Sequence, residues 1–257
     1  MKRGLLYVFV ILCAMSCRDN LIPDETINVE DTFSIDLFEA LDGADRSFQI
    51  KARSIESEEC TNAIIGYTLK NSPSLVSVSF NDITTDGACE VGMAPAQSTV
   101  ELGGIENGTY TMQLNLKEVV FNNGSLVVTD EAFELSMNSE NGINLIRSEL
   151  KRIPQNLVWG YVAYDNTSLN EACNQLLTDA TNLMIPSNLT DGYYGYFDLN
   201  QQVLTPVEGP NKIVVKPFYG LLDASLDDLG AIAENFRENY QGQGAELRLF
   251  TWRGEEL

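Results

Sequence analysis

Phe33-Ser34-Ile35-Asp36-Leu37 alternates apolar and polar side chains. A period of two puts the apolar members on one face of a strand and the polar members on the other. The same alternation returns in Phe48-Gln49-Ile50-Lys51-Ala52 and in Val76-Ser77-Val78-Ser79-Phe80. Each reads as a half-buried strand with one face on a core. Turn-forming residues punctuate them at Asn71-Ser72-Pro73, Asp86-Gly87, Asn107-Gly108 and Asn123-Gly124. Short strands at this spacing predict a β-sandwich over residues 32–137.

Within that region, Ile105-Glu106-Asn107-Gly108-Thr109-Tyr110-Thr111-Met112 resembles the tyrosine corner of immunoglobulin-like domains. There a glycine stands two positions before the tyrosine, and the tyrosine hydroxyl ties the corner to nearby backbone. Met112 stands where an antibody domain has cysteine, so the resemblance is to the broad sandwich class. It implies an immunoglobulin-like β-sandwich. Farther along, Asn122-Asn123-Gly124 between Val119-Val120-Phe121 and Leu126-Val127-Val128 predicts a hairpin.

Asn138-Ser139-Glu140-Asn141-Gly142 is a polar break and the expected domain boundary. The rhythm changes after it. Strands are expected over 157–164, 193–199, 212–219 and 246–253, with helices over 168–184 and 225–240. Ser168-Leu169-Asn170-Glu171 has the form of a capping box, in which the serine oxygen and the glutamate satisfy orphan backbone donors. Leu169, Ala172, Cys173, Leu176, Leu177, Ala180 and Met184 form one apolar stripe. Leu226, Leu229, Ala233, Phe236 and Tyr240 form the other. The order β-α-β-β-α-β predicts an α+β ferredoxin-like domain over 143–257.

In such a fold the helices cover one sheet face and leave the other free. Strand parity sends Val158, Gly160, Val162, Phe197, Ile213, Val215, Leu247 and Leu249 to the helices. The opposite face then collects Trp159, Tyr161, Tyr194, Tyr196, Lys216, Phe218, Arg248, Phe250 and Trp252. Large exposed apolar patches mark interaction sites, so this aromatic face is the candidate binding face. It either packs on the sandwich domain or on a second copy, or it serves as a glycan platform where sugar C–H faces meet aromatic rings. Nucleic-acid stacking conflicts with a formal charge of −21, which repels polyanions at long range.

The N-terminus carries an address. Met1-Lys2-Arg3 is a basic head, Gly4 to Met15 an apolar run, and Ala14-Met15-Ser16-Cys17 sets a small residue before a cysteine. This is the layout of a signal peptide over residues 1–16, and its end resembles the lipobox of bacterial lipoproteins. The resemblance implies cleavage before Cys17 and lipidation of that cysteine, with fatty acyl chains such as palmitate. Residues 17–31 read as a lipidated tether. Such an address implies a bacterial cell envelope, with the outer membrane as the expected site and the membrane itself as a partner through the lipid.

Composition excludes several chemistries. The chain has no histidine, which removes Ser-His-Asp and Cys-His catalysis and histidine-ligated metals. No phosphate loop is present. No catalytic residue, metal site or cofactor is expected. Of five cysteines, Cys13 leaves with the signal and Cys17 takes lipid. Cys60 and Cys89 share the strand-rich region and are expected to form a disulfide in an oxidising envelope; the alternative is two free buried thiols. Cys173 belongs to a helix stripe and reads as a buried thiol. The expected function is a lipid-anchored envelope protein, not an enzyme, with a structural or protein–protein binding role. Surface glycan binding is the alternative, and a histidine-independent hydrolase is less favoured.

Overall fold

The computed structural model describes residues 32–43 and 45–257; the signal peptide, Cys17 and the tether lie outside them. Ten strands come first: β1 (Phe33–Asp42), β2 (Asp45–Cys60), β3 (Ala63–Ser72), β4 (Leu75–Thr85), β5 (Val91–Gly103), β6 (Gly108–Leu116), β7 (Val120–Val128), β8 (Ala132–Met137), β9 (Ile143–Leu145) and β10 (Glu149–Lys151). They form one curled sheet in the order β10-β8-β7-β6-β4-β3-β5-β2-β1-β9. Its pairings are antiparallel except β1 with β9, β3 with β5, and β4 with β6, which are parallel.

The alternation read in the sequence fills the inside of this curl. Phe33, Ile35 and Leu37 of β1 meet Phe48 and Ile50 of β2 and, from across the curl, Val78, Phe80, Leu114 and Phe133. Phe48 stacks on Phe133 with ring centroids 4.4 Å apart. Burying each such side chain stabilises the fold by roughly 1.5–3 kcal/mol. The hydroxyl of Tyr110 donates to the carbonyl of Glu106 over 2.8 Å, so the tyrosine corner forms.

That local motif does not bring the immunoglobulin-like topology with it. A continuous mixed sheet replaces two separate antiparallel ones. The expected hairpin is also displaced. The β6–β7 turn falls at Lys117 and Glu118, both at positive φ, while Asn123-Gly124 lies inside β7. Asn122 is fully buried, and its amide oxygen accepts the backbone N–H of Asn141 over 2.8 Å. At Gly124 a Cβ would strike the Ser136 carbonyl of β8. The Asn-Gly pair thus serves a close strand approach instead of a turn.

The rest of the chain contains β11 (Leu157–Tyr164), α1 (Asn170–Asn182), β12 (Met184–Ile185), β13 (Gly192–Tyr193), β14 (Phe197–Asn200), β15 (Val203–Pro206), β16 (Val214–Leu222), α2 (Leu226–Tyr240) and β17 (Glu246–Thr251). Asn166 caps the 3₁₀ turn before α1, and Ser225 caps α2 by accepting from Asp228 N–H; the capping box expected at Ser168 is not the one used. An antiparallel sheet in the order β12-β16-β11-β17 has both helices on one face. A separate sheet, β13-β14-β15, packs on its other face.

This overturns the ferredoxin-like βαββαβ expectation. The stretch read as one strand over 193–199 breaks at Tyr194-Gly195-Tyr196, where Gly195 adopts φ +85°. Its two halves fold back and pair with each other as β13 and β14, in a different sheet from the helix-backed one. The face expected to be free is therefore covered by strands of the same chain.

Candidate functional site

Register decides which side chains share the covered face. Trp159 of β11 lies opposite Tyr219 of β16 and Phe250 of β17, and Tyr161 lies opposite Pro217 and Arg248. Trp159, Tyr161, Arg248 and Phe250 thus share one face, as the sequence predicts. Lys216 and Phe218 do not join them. Phe218 packs in the helix-side core, and the Lys216 ammonium donates to Asn170 and Asn174 of α1, each over 2.6 Å. The expected parity of β16 is off by one, and a slip of one residue exchanges its two faces. Tyr219 and Pro217 take the places assigned to Phe218 and Lys216.

Tyr194 and Tyr196 reach the same layer from above, out of the turn between β13 and β14. Tyr194 stacks on Phe197 at 4.8 Å. Tyr196 tilts against Trp159 at 5.6 Å and against Phe38 of β1 at 5.0 Å. Trp252 follows β17 and packs against both the helix-side core and the aromatic layer. Trp159, the centre of the layer, is only 2% exposed. This face is therefore covered and is not an open aromatic platform.

The first sheet locks onto this layer. Leu41 N–H donates to the Tyr196 hydroxyl over 3.2 Å, and Gly43 N–H donates to the Arg253 carbonyl over 2.8 Å. Arg46 donates to the Ile153 carbonyl over 2.5 Å. Glu39, 2% exposed, lies between Arg46 at 3.5 Å and Arg152 at 3.2 Å. At Gly195 a Cβ would lie 3.3 Å from the Phe38 ring, so glycine serves both the positive φ and the close approach.

Between the layers a cleft of about 440 Å³ remains, within the range of small-molecule sites. Its walls are Phe38, Trp159, Tyr161, Tyr193, Tyr196 and Phe250, and Asp36, Lys51, Val207, Glu208 and Arg248 also line it. Asp36 is paired with Arg147 over 2.6 Å, and that guanidinium lies 3.7 Å above the Tyr193 ring. Arg248 forks onto Glu256 through contacts of 2.6 and 2.7 Å. The Lys51 ammonium sits 3.2 Å from the centroid of the Phe38 ring. The Tyr161 hydroxyl donates to Glu246 over 2.9 Å.

Partial burial sets the proton affinities. Desolvation raises Asp36 above the usual carboxylate range, against the pull of Arg147. It lowers Lys51, against Asp36 and Glu208. Burial first, and then the bond to Glu246, push Tyr161 up to about 12. Burial likewise raises Tyr193 and Tyr196.

Sequence reasoning missed Phe38, Asp36, Lys51 and Tyr193. Phe38 did leave a signal: it falls on the polar parity of β1, with Ser34 and Asp36, where a large apolar ring needs a cover.

The disulfide joins Cys60 and Cys89, with Cα atoms 5.2 Å apart, and Cys173 is a free, buried thiol. Among the described residues, no group of His, Cys, Asp and Glu is placed to hold a metal ion, and no helix is long and apolar enough to cross a membrane. No protein-family model matches the chain, and neither a curated protein nor a solved structure is significantly similar to it.

Proposed function

We propose that this chain is an exported cell-envelope protein, anchored through lipid on Cys17, whose work is binding. The observation that carries the binding reading is the cleft between the two sheets, walled by aromatic rings and fixed by hydrogen bonds from both parts of the chain. Rings that pack as tightly as Trp159 belong to a scaffold, so the partner meets the cleft and its rim instead of a bare sheet face. The Cys60–Cys89 disulfide supports an oxidising address. The basic head and the small residue before Cys17 support the lipid anchor.

Two measurements test this. Fractionation should find the full chain with membranes and Cys17→Ser in soluble fractions or as an unprocessed precursor. Envelope extract should raise the melting temperature of the purified full chain, and Val207→Trp, which fills the rim at a half-exposed position, should remove that shift. Soluble wild-type protein would overturn the anchor, and a shift untouched by Val207→Trp would overturn the cleft as the binding site.

A further inference from the structure

We infer that the cleft takes a neutral pyranose sugar, a ligand of one or two rings; this rests on the binding reading above. Two of the charges around the cleft are already paired. Asp36 has Arg147 at 2.6 Å and Arg248 has Glu256 at 2.6 Å, while Lys51 lies in the fields of the opposite charges Asp36 and Glu208. A charged ligand that took Asp36 or Arg248 would have to break its pair, which is costly for a partly buried charge.

An organic cation meets a further obstacle. The protein's own ammonium, Lys51, covers the Phe38 ring at 3.2 Å, and Arg147 covers Tyr193 at 3.7 Å. Two of the ring faces that attract cations are thus occupied from within. A purely apolar ligand fits poorly for the opposite reason. The lining carries the Lys51 ammonium as a donor and the Glu208 carboxylate as an acceptor, and covering them without hydrogen bonds costs free energy.

A pyranose satisfies both halves of the lining. Its C–H edges suit Tyr196 and Phe250, which remain partly exposed beside the buried Trp159. Its hydroxyls both donate and accept, which matches Glu208 and Lys51 in turn. The volume of about 440 Å³ limits the part that enters to a short segment, such as the end of a glycan chain.

The test uses the full chain purified in detergent and saturation-transfer NMR. The probes are neutral hexose and N-acetylhexosamine disaccharides, a uronic-acid disaccharide, an amino-sugar disaccharide and an uncharged aromatic tripeptide. Neutral disaccharides should show transfer, and Val207→Trp should weaken their binding by about tenfold or more while the melting temperature stays put. Val119→Trp, at an exposed position on the β6–β7 turn, should bind as wild type does. If a charged sugar or the peptide binds instead, and Val207→Trp blocks it, the neutral-sugar inference fails and the binding reading stands. If no probe binds the wild type, or if Val207→Trp leaves sugar binding unchanged, the sugar assignment of the cleft is overturned.

Discussion

The backbone N–H of Leu41 donates to the phenolic oxygen of Tyr196, joining positions 155 residues apart over 3.2 Å. The contact lies where the β1–β2 end of the first sheet meets the turn between β13 and β14. Phe38 of the first sheet and Trp159 of β11 both tilt against the Tyr196 ring. One ring thus serves as both wedge and clasp between the two halves of the chain.

Removing the centre of that layer should be expensive. Trp159→Ala is expected to cost about 3–5 kcal/mol, as for other large buried aromatics. Tyr196→Phe keeps the ring and removes the acceptor for Leu41, at about 1–2 kcal/mol. Urea denaturation followed by circular dichroism measures both. A loss below about 1 kcal/mol for Trp159→Ala would contradict its place in the core.

The Cys60–Cys89 bridge joins positions 29 apart in sequence, and the chain-entropy relation assigns a loop of that size about 3–4 kcal/mol. The Cys60→Ser, Cys89→Ser double variant should lose stability of that order. Peptide mapping without reductant should recover the 60–89 pair. Burial raises the Cys173 thiol, so maleimide should label that residue only after unfolding. Rapid labelling of the native protein would refute this.

Stability should fall on the alkaline side. Tyr161 holds its proton up to about 12 in the native state, against an ordinary 10.0. Between those values the unfolded chain has released a proton that the native protein keeps, so stability declines as pH rises from 10 to 12. Burial moves Tyr193, Tyr194, Tyr196 and Tyr219 in the same direction. Tyr161→Phe should therefore flatten the decline without abolishing it. Melting temperatures at stepped pH compare the two proteins.

The membrane anchor can be checked chemically. Growth with a labelled fatty acid should label the wild-type chain and leave Cys17→Ser unlabelled. Label retained by the variant would move the anchor elsewhere.

Much of this architecture can be read from local patterns. The alternation at Phe33–Leu37 specifies a strand face, and the apolar stripe through Leu176 and Ala180 specifies a helix face, because both depend on residues a few positions apart. The Tyr110 corner is legible for the same reason. Connectivity is not. Pairing of β4 with β6 and of β1 with β9 joins distant segments, and no local pattern encodes which edges meet. The site was half legible: Trp159, Tyr161, Arg248 and Phe250 follow from strand parity. Lys216 and Phe218 fall on the other face, because the β16 register depends on its partner strand and not on parity alone. Phe38 and Lys51 enter the cleft only through the packing of the first sheet against the second part of the chain.

The segment from Ile143 to Lys151 touches both ends of the ten-stranded sheet, with β9 on the outer edge of β1 and β10 on that of β8. This bears on where the chain can be cut. A chain ending at Met137 holds eight of the ten strands, yet both rims of its sheet are bare. Unpaired rims recruit other chains, so the segment after Met137 guards the whole sheet against edge-to-edge association. A fragment that stops at Met137 should precipitate where the longer chain stays in solution.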